Sequence, residues 1–139
     1  MAEFIIPGEP VGKARARVTR WGTYTPEKTK KYEELIRVVA KQASDFFYVD
    51  APLLIVVKAY YAIPKSANKA SRYEMLTGLK RPTKKPDVDN VLKSVCDALN
   101  GVYYKDDSQI VAAYVFKYYD AEPRVEVKIE AVTQYDYSN

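Results

Sequence analysis

The sequence predicts an α+β fold, a single domain over residues 1–139 in which a mixed β-sheet carries two principal helices. Three observations predict it. The run LLIVVKAYYAIP behind Pro52 reads as a strand apolar on both faces, as in the middle of a sheet. Near the end, Val125, Val127, Ile129 and Ala131 alternate with Glu126, Lys128 and Glu130, the pattern of a strand with one wet face. In TPEKTKKYEELIRVVAKQASDFF, the residues Tyr32, Leu35, Ile36, Val39, Ala43 and Phe46 fall at helical spacing and should face a core. A chain of 139 residues has room for one such core.

The remaining elements follow in order. Phe4–Ile6 reads as a short strand, ended by the turn residues of PGEPVG. ARVTRWGTYT places β-branched and aromatic residues around Gly22, which predicts a ragged hairpin. The first helix has Thr25 as its N-cap, Pro26 at its first position and Glu27 at the positive end of the dipole. Residues 64–86 show no period and hold three prolines, so they read as a long loop with a short helix near Arg72–Leu79. A second helix is expected from Asn90 to Leu99, stopped by Asn100–Gly101. Strands Gln109–Tyr118 and Arg124–Thr133 follow, joined by a turn at DAEP, and QYDYSN is expected to fray.

Composition limits the chemistry. Hydrophobic residues make up 47% and charged residues 29%, as in a soluble globular protein. The longest apolar run, Pro52–Val57, is too short to cross a bilayer, and MAEFIIPGEP lacks the features of a secretory signal. With one cysteine, Cys96, no internal disulfide forms, and a cytoplasmic location is expected. There is no histidine, which excludes a Ser–His–Asp triad, a Cys–His pair and His-ligated zinc. Any metal must be held by carboxylates, hard oxygen ligands suited to magnesium or manganese.

The net charge of +4 conceals an asymmetry. Residues 1–93 carry 18 Lys and Arg against 10 Asp and Glu, while residues 94–139 carry 4 against 8. Lys13, Arg15, Arg17 and Arg20 alternate with small or apolar residues, and seven basic residues between Ile63 and Pro86 face one acid, Glu74. Such patches attract polyanions, nucleic acid first among them, although a solvated basic surface reads the same way.

Against this background the stretch KKPDVDNVLKSVCDALNGVYYKDDSQI, residues 84–110, concentrates Asp87, Asp89, Asp97, Asp106 and Asp107 around Lys93. If residues 87–89 are extended, Asp87 and Asp89 point to one side, about 6–7 Å apart at their Cα atoms. Carboxylates so placed repel unless a cation lies between them. Each element also has a plain alternative. Asp87 or Asp89 would serve as a helix N-cap, Asp106–Asp107 as a turn, and Lys93 as a solvated helix residue. The pattern lacks the glycine and distal glutamate of an EF-hand, which disfavours a calcium loop.

The motif D-x-D-N-x-x-K-x-x-x-D-A-L followed by D-D-x-Q resembles the RusA-type Holliday junction resolvases, often encoded by phages and prophages. PGEPVGKARARVTRWGTYTPEKTKKYE also looks like the N-terminal segment of that family. The resemblance implies that Asp87, Asp89 and Asp107 bind metal and that Lys93 is catalytic. Asn90, Asp97 and Asp106 then hold those ligands in place. It further implies a Mg²⁺-dependent endodeoxyribonuclease, with Mn²⁺ substituting, that resolves four-way DNA junctions by paired nicks in recombination and repair. The expected phosphate contacts are Lys13, Arg15, Arg17, Arg20, Lys80, Arg81, Lys84 and Lys85. The long loop at 64–86 departs from compact relatives, so its DNA contacts do not carry over by position. The two-fold symmetry of a junction implies a homodimer. The alternatives are a nuclease for flaps, forks or other branched DNA, and a non-catalytic DNA-binding module whose acids are structural.

Overall fold

Period-two alternation becomes one buried and one wetter sheet face. The computed structural model describes residues 1–132; the expected fray at 134–139, and Thr133 before it, lie outside the described residues. In chain order come β1 (Ala2–Pro7), a ribbon of β2 (Arg17–Thr19) and β3 (Gly22–Tyr24), α1 (Glu27–Ala43), β4 (Leu53–Ala62), α2 (Lys69–Leu76) and α3 (Val88–Leu99). A single 3₁₀ turn (Asp107–Gln109) then leads into β5 (Ile110–Asp120) and β6 (Arg124–Ala131).

The main sheet runs β1-β6-β4-β5. Strand β6 is antiparallel to both its neighbours, with Val127 opposite Phe4 on one side and Val57 on the other. Strand β4 pairs parallel with β5, which makes the sheet mixed and places β4 inside it, as its apolar run predicts. The α+β fold is borne out. The inner face presents Phe4, Ile6, Leu53, Ile55, Val57, Val125 and Ile129 to a single core. Helix α1 adds Tyr32, Ile36 and Ala40 to that core, and α3 adds Val91, Val95, Ala98 and Leu99. Each aliphatic side chain fully buried there contributes about 1.5–3 kcal/mol. Two of the buried tyrosines keep their hydroxyls bonded: Tyr103 donates to the Ala40 carbonyl, and Tyr104 to that of Cys96 at 2.6 Å. Among the described residues no helix is long and apolar enough to cross a membrane.

The helix ends differ from expectation for local reasons. Pro26, not Thr25, is the α1 cap, because it keeps an extended ψ of 144° and the helix starts at Glu27. The helix ends at Ala43, four residues before Phe47. There the Ser44 hydroxyl accepts the Phe46 amide at 3.1 Å and diverts the chain from helical bonding. Phe46, expected in the core, is therefore exposed, and Ala43, also expected there but in the last turn of the helix, is exposed as well. The short helix α2 lies at Lys69–Leu76 rather than 72–79, capped by the Asn68 side chain on the Ser71 amide. Helix α3 begins at Val88, two residues early, so residues 87–89 are not a strand.

The segment after β1 lies directly across the start of α3. The Lys13 amide donates to the Asn90 carbonyl at 3.0 Å, and the Ser94 hydroxyl to the Val11 carbonyl at 2.8 Å. Contact is so close that a Cβ on Gly12 would stand 2.8 Å from Pro86 Cβ and 3.1 Å from Asn90 Cβ. Gly12→Ala should therefore lower the unfolding free energy by about 1–3 kcal/mol, the scale of overpacking. Urea titration measures it, and an unchanged midpoint would mean that the segment lifts off without loss.

Candidate active site

Helix α3 sorts its residues by face. Val91, Val95, Ala98 and Leu99 enter the core, which turns Asp89, Lys93 and Asp97 outward at successive i,i+4 positions. Asp87 holds the N-cap position with φ −73° and ψ 160°, yet its carboxylate makes no capping hydrogen bond. That side chain stays free for another partner. The backbone beneath it is fixed instead from the sheet, because the Tyr61 hydroxyl at the end of β4 donates to the Pro86 carbonyl at 2.5 Å.

The other pair of acids divides its work. Asp106 accepts the Ser108 amide at 3.0 Å and completes a capping box with Gln109, bonds that hold its carboxyl below the usual range. Asp106 is the turn former, and Asp107 is left free. Partial burial raises the Asp107 carboxyl, the charges of Asp106 and Asp97 raise it further, and Lys93 opposes them. The Asp97 carboxylate therefore links Asp107 to the lysines: it lies 3.9 Å from Lys93 Nζ and 3.4 Å from Lys13 Nζ. Lys13 also pairs with Glu33 of α1, and although burial pushes its pKa down, the two acids raise it overall. Lys93 keeps 62% of its side chain exposed, so its ammonium is available to a bound phosphate.

The structure thus sets Asp89, Lys93 and Asp97 along one outward face, with Asp87 at its leading end and Asp107 near the Asp97 end. Among the described residues, no three acidic side chains converge closely enough to hold an ion as they stand.

A sequence profile of the family described as Endodeoxyribonuclease RusA matches residues 7–130. The chain belongs to the RusA endodeoxyribonuclease family. It is accordingly an enzyme that cuts DNA, and its family is one of Holliday junction endonucleases. It is 42% identical over 137 residues to "Uncharacterized protein YqaN" of Bacillus subtilis (strain 168), covering 94% of this chain and 96% of that protein. It is 29% identical over 110 residues to "Crossover junction endodeoxyribonuclease rusA" of Lactococcus phage r1t, covering 78% of this chain and 77% of that one.

Nucleases of this kind generally use a divalent metal, and the donor set fits one. Every candidate ligand is a carboxylate oxygen, Asp87 is not consumed by capping, and Asp107 stands among like charges that a cation would relieve.

The basic residues separate into two groups. Arg15, Arg17, Arg20, Lys80, Lys84 and Lys85 are exposed. Arg15, Arg17 and Lys85 line a cleft that reaches Asp87 and Asn90. Lys13 and Arg81, also expected on phosphates, have partners within the protein, Lys13 half-buried and Arg81 still exposed. Arg81 donates to the Lys117 carbonyl at 2.8 Å and stacks 4.3 Å from the Tyr118 ring, clamping the 77–86 loop to β5. Lys117 reaches back to the Lys84 carbonyl at 2.5 Å. Sequence reasoning assigned no role to Glu33, Tyr61 or Ser94, whose partners lie 20 to 83 residues away. Gln109 stands in the D-D-x-Q motif, and its role emerges only here. Its Oε1 accepts the Lys105 amide at 3.0 Å, while Nε2 donates to the carbonyls of Tyr48 at 3.1 Å and Ala51 at 3.2 Å. Gln109→Ala should cost about 1–3 kcal/mol of stability by leaving those groups unpaired. Cleavage should fall further than that loss explains, because the turn positions Asp107. Parallel chemical denaturation and single-turnover cleavage measure both; unchanged cleavage would show that the turn holds itself.

Proposed function

We propose that this protein is a Mg²⁺-dependent, structure-selective endodeoxyribonuclease that resolves four-way DNA junctions by paired nicks in recombination and repair. The observation that carries the reading is the outward face of α3, where Asp89, Lys93 and Asp97 line up and the last two act on the charge of Asp107, on a RusA-family chain. A binding module has no need of such a set of carboxylates about a lysine.

Asp87, Asp89 and Asp107 would hold the metal, with Mn²⁺ substituting for Mg²⁺. When bound, the ion polarises the phosphoryl oxygen and lowers the pKa of an attacking water. Lys93 stabilises the negative charge that develops on the phosphoryl group, since its ammonium is exposed and close to the acids. Asp97 steadies Lys93 from one helical turn away, and Asn90 and Asp106 keep the two acidic segments in place. Exposed Arg15, Arg17, Arg20, Lys80, Lys84 and Lys85 are suited to flanking phosphates. A homodimer would set two such sites about the two-fold axis of a junction, giving one nick on each side.

Cleavage of labelled four-way junctions, flaps, forks and linear duplex, with and without Mg²⁺, tests the reading. Preferred cutting of the junction supports it, and preferred cutting of flaps or forks would replace it. Asp89→Asn preserves shape and removes one ligand charge. It should reduce cleavage by orders of magnitude while junction binding holds or tightens, because repulsion of phosphate is eased. A folded Asp89→Asn protein cutting at the wild-type rate would sink the metal assignment. Lys93→Ala should lower single-turnover cleavage about a hundredfold or more while Mn²⁺ affinity remains, since ammonium is not a ligand. A normal rate would return Lys93 to a solvated helix position, and lost Mn²⁺ affinity would make it a structural partner of the acids.

A further inference from the structure

The β2–β3 ribbon carries the only tryptophan of the chain at its tip, and the chemistry above does not use it. Trp21 is 86% exposed, more than any other large apolar side chain among the described residues, and Val18 on the same ribbon is 81% exposed. Folding by itself gives an indole no reason to stand in water. The tip is nonetheless ordered by its own bonds. The Thr19 hydroxyl donates to the Gly22 carbonyl at 3.1 Å and accepts the Trp21 amide at 3.2 Å. Gly22 takes φ +124°, which suits a residue without a side chain.

The surroundings select the occupant. From Pro10 to Pro26 the chain has no acid, and Arg20 lies over the indole with its guanidinium carbon 4.9 Å from the ring centroid. Arg15 and Arg17, at the base of the ribbon, line the cleft that leads to Asp87. A DNA backbone followed from Asp87 along this cleft meets the ribbon, whose strands rise about 10 Å, some three base steps. An apolar protein partner would have to desolvate these arginines unpaired; a polyanion with open base faces satisfies both features at once.

We infer that Trp21 stacks on base faces left open at the branch point of a DNA junction while Arg15, Arg17 and Arg20 hold the flanking phosphates. The inference deepens the nuclease reading above and rests on it. Aromatic stacking accepts any base, whereas an intact linear duplex offers no open face to an indole. Trp21 would thus distinguish branched from linear DNA without reading sequence. Arg20 can leave the ring for a phosphate as the base takes its place.

Because Trp21 is the only tryptophan, indole fluorescence reports this side chain alone. In EDTA, titration with a four-way junction should quench the emission strongly, and saturating linear duplex of the same base composition should change it little. Trp21→Ala should weaken junction binding by at least about fivefold, the lower end of the stacking range, and leave duplex binding unchanged. Trp21→Phe should restore most of the difference. The side chain touches no core, so both variants should fold. Equal quenching by junction and saturating duplex, or full junction affinity in Trp21→Ala, would overturn the assignment. Wild-type cleavage in Mg²⁺ separates the two levels: nicking of junctions with Trp21 unquenched removes the stacking role alone, and failure to nick any branched DNA removes the reading beneath it.

Discussion

Parallel pairing of β4 with β5 obliges the chain to return across the sheet before the second strand can begin, because a tight hairpin cannot join parallel strands. That return is residues 63–109, and it contains α2, α3 and every acid of the candidate site. The position of α3 is set by hydrophobic burial of Val91, Val95, Ala98 and Leu99 against the sheet. Once those four are inside, helical geometry leaves Asp89, Lys93 and Asp97 outside. The orientation of the chemical groups is a consequence of core packing. The two ends of the crossover are then fixed by separate bonds, Tyr61 to Pro86 at the start and Gln109 to Tyr48 and Ala51 at the finish.

The charges around α3 serve two distinct ends. Lys13 neutralises Glu33 and Asp97 at once and ties the segment after β1 to both α1 and α3. Asp97 is thereby balanced by two lysines, one partly buried and one exposed, and its neighbour Asp107 is raised rather than paired. A carboxylate kept among like charges favours a cation more than one already satisfied by arginine. Arg81 meanwhile holds the 77–86 loop against Tyr118 on the edge strand β5, and Lys117 of that strand reaches from over the Tyr61 ring of β4 to the Lys84 carbonyl. They cover an edge that would otherwise present unpaired backbone. Cations that look alike in a basic sequence are therefore structural in one place and open to solvent in another.

Much of the fold was legible because its signals are local. The alternation of 124–131 depends only on one face being wet, and the spacing of Tyr32, Ile36 and the other apolar residues of α1 depends only on helical pitch. The D-x-D-N and D-D-x-Q spacings could be read as a set without knowing where the chain turns. The helix ends were less legible, since Ser44 and Pro26 compete with equally acceptable caps at neighbouring positions. Asp87 and Asp106 look equivalent as capping residues, but only Asp106 caps with its side chain.

The sequence by itself determined the fold class, the lack of histidine chemistry, the oxygen-only donor set and the motif that marks a RusA-family nuclease, because each follows from residue types at short spacings. The tertiary structure alone decided that the charge of Asp97 raises the Asp107 carboxyl, that Lys13 and Arg81 find partners within the protein, and that Trp21 stands clear of the core. Those outcomes turn on which distant segments meet. Such meetings are set by the competition of many burial and pairing energies over the whole chain, and no short window of sequence contains it.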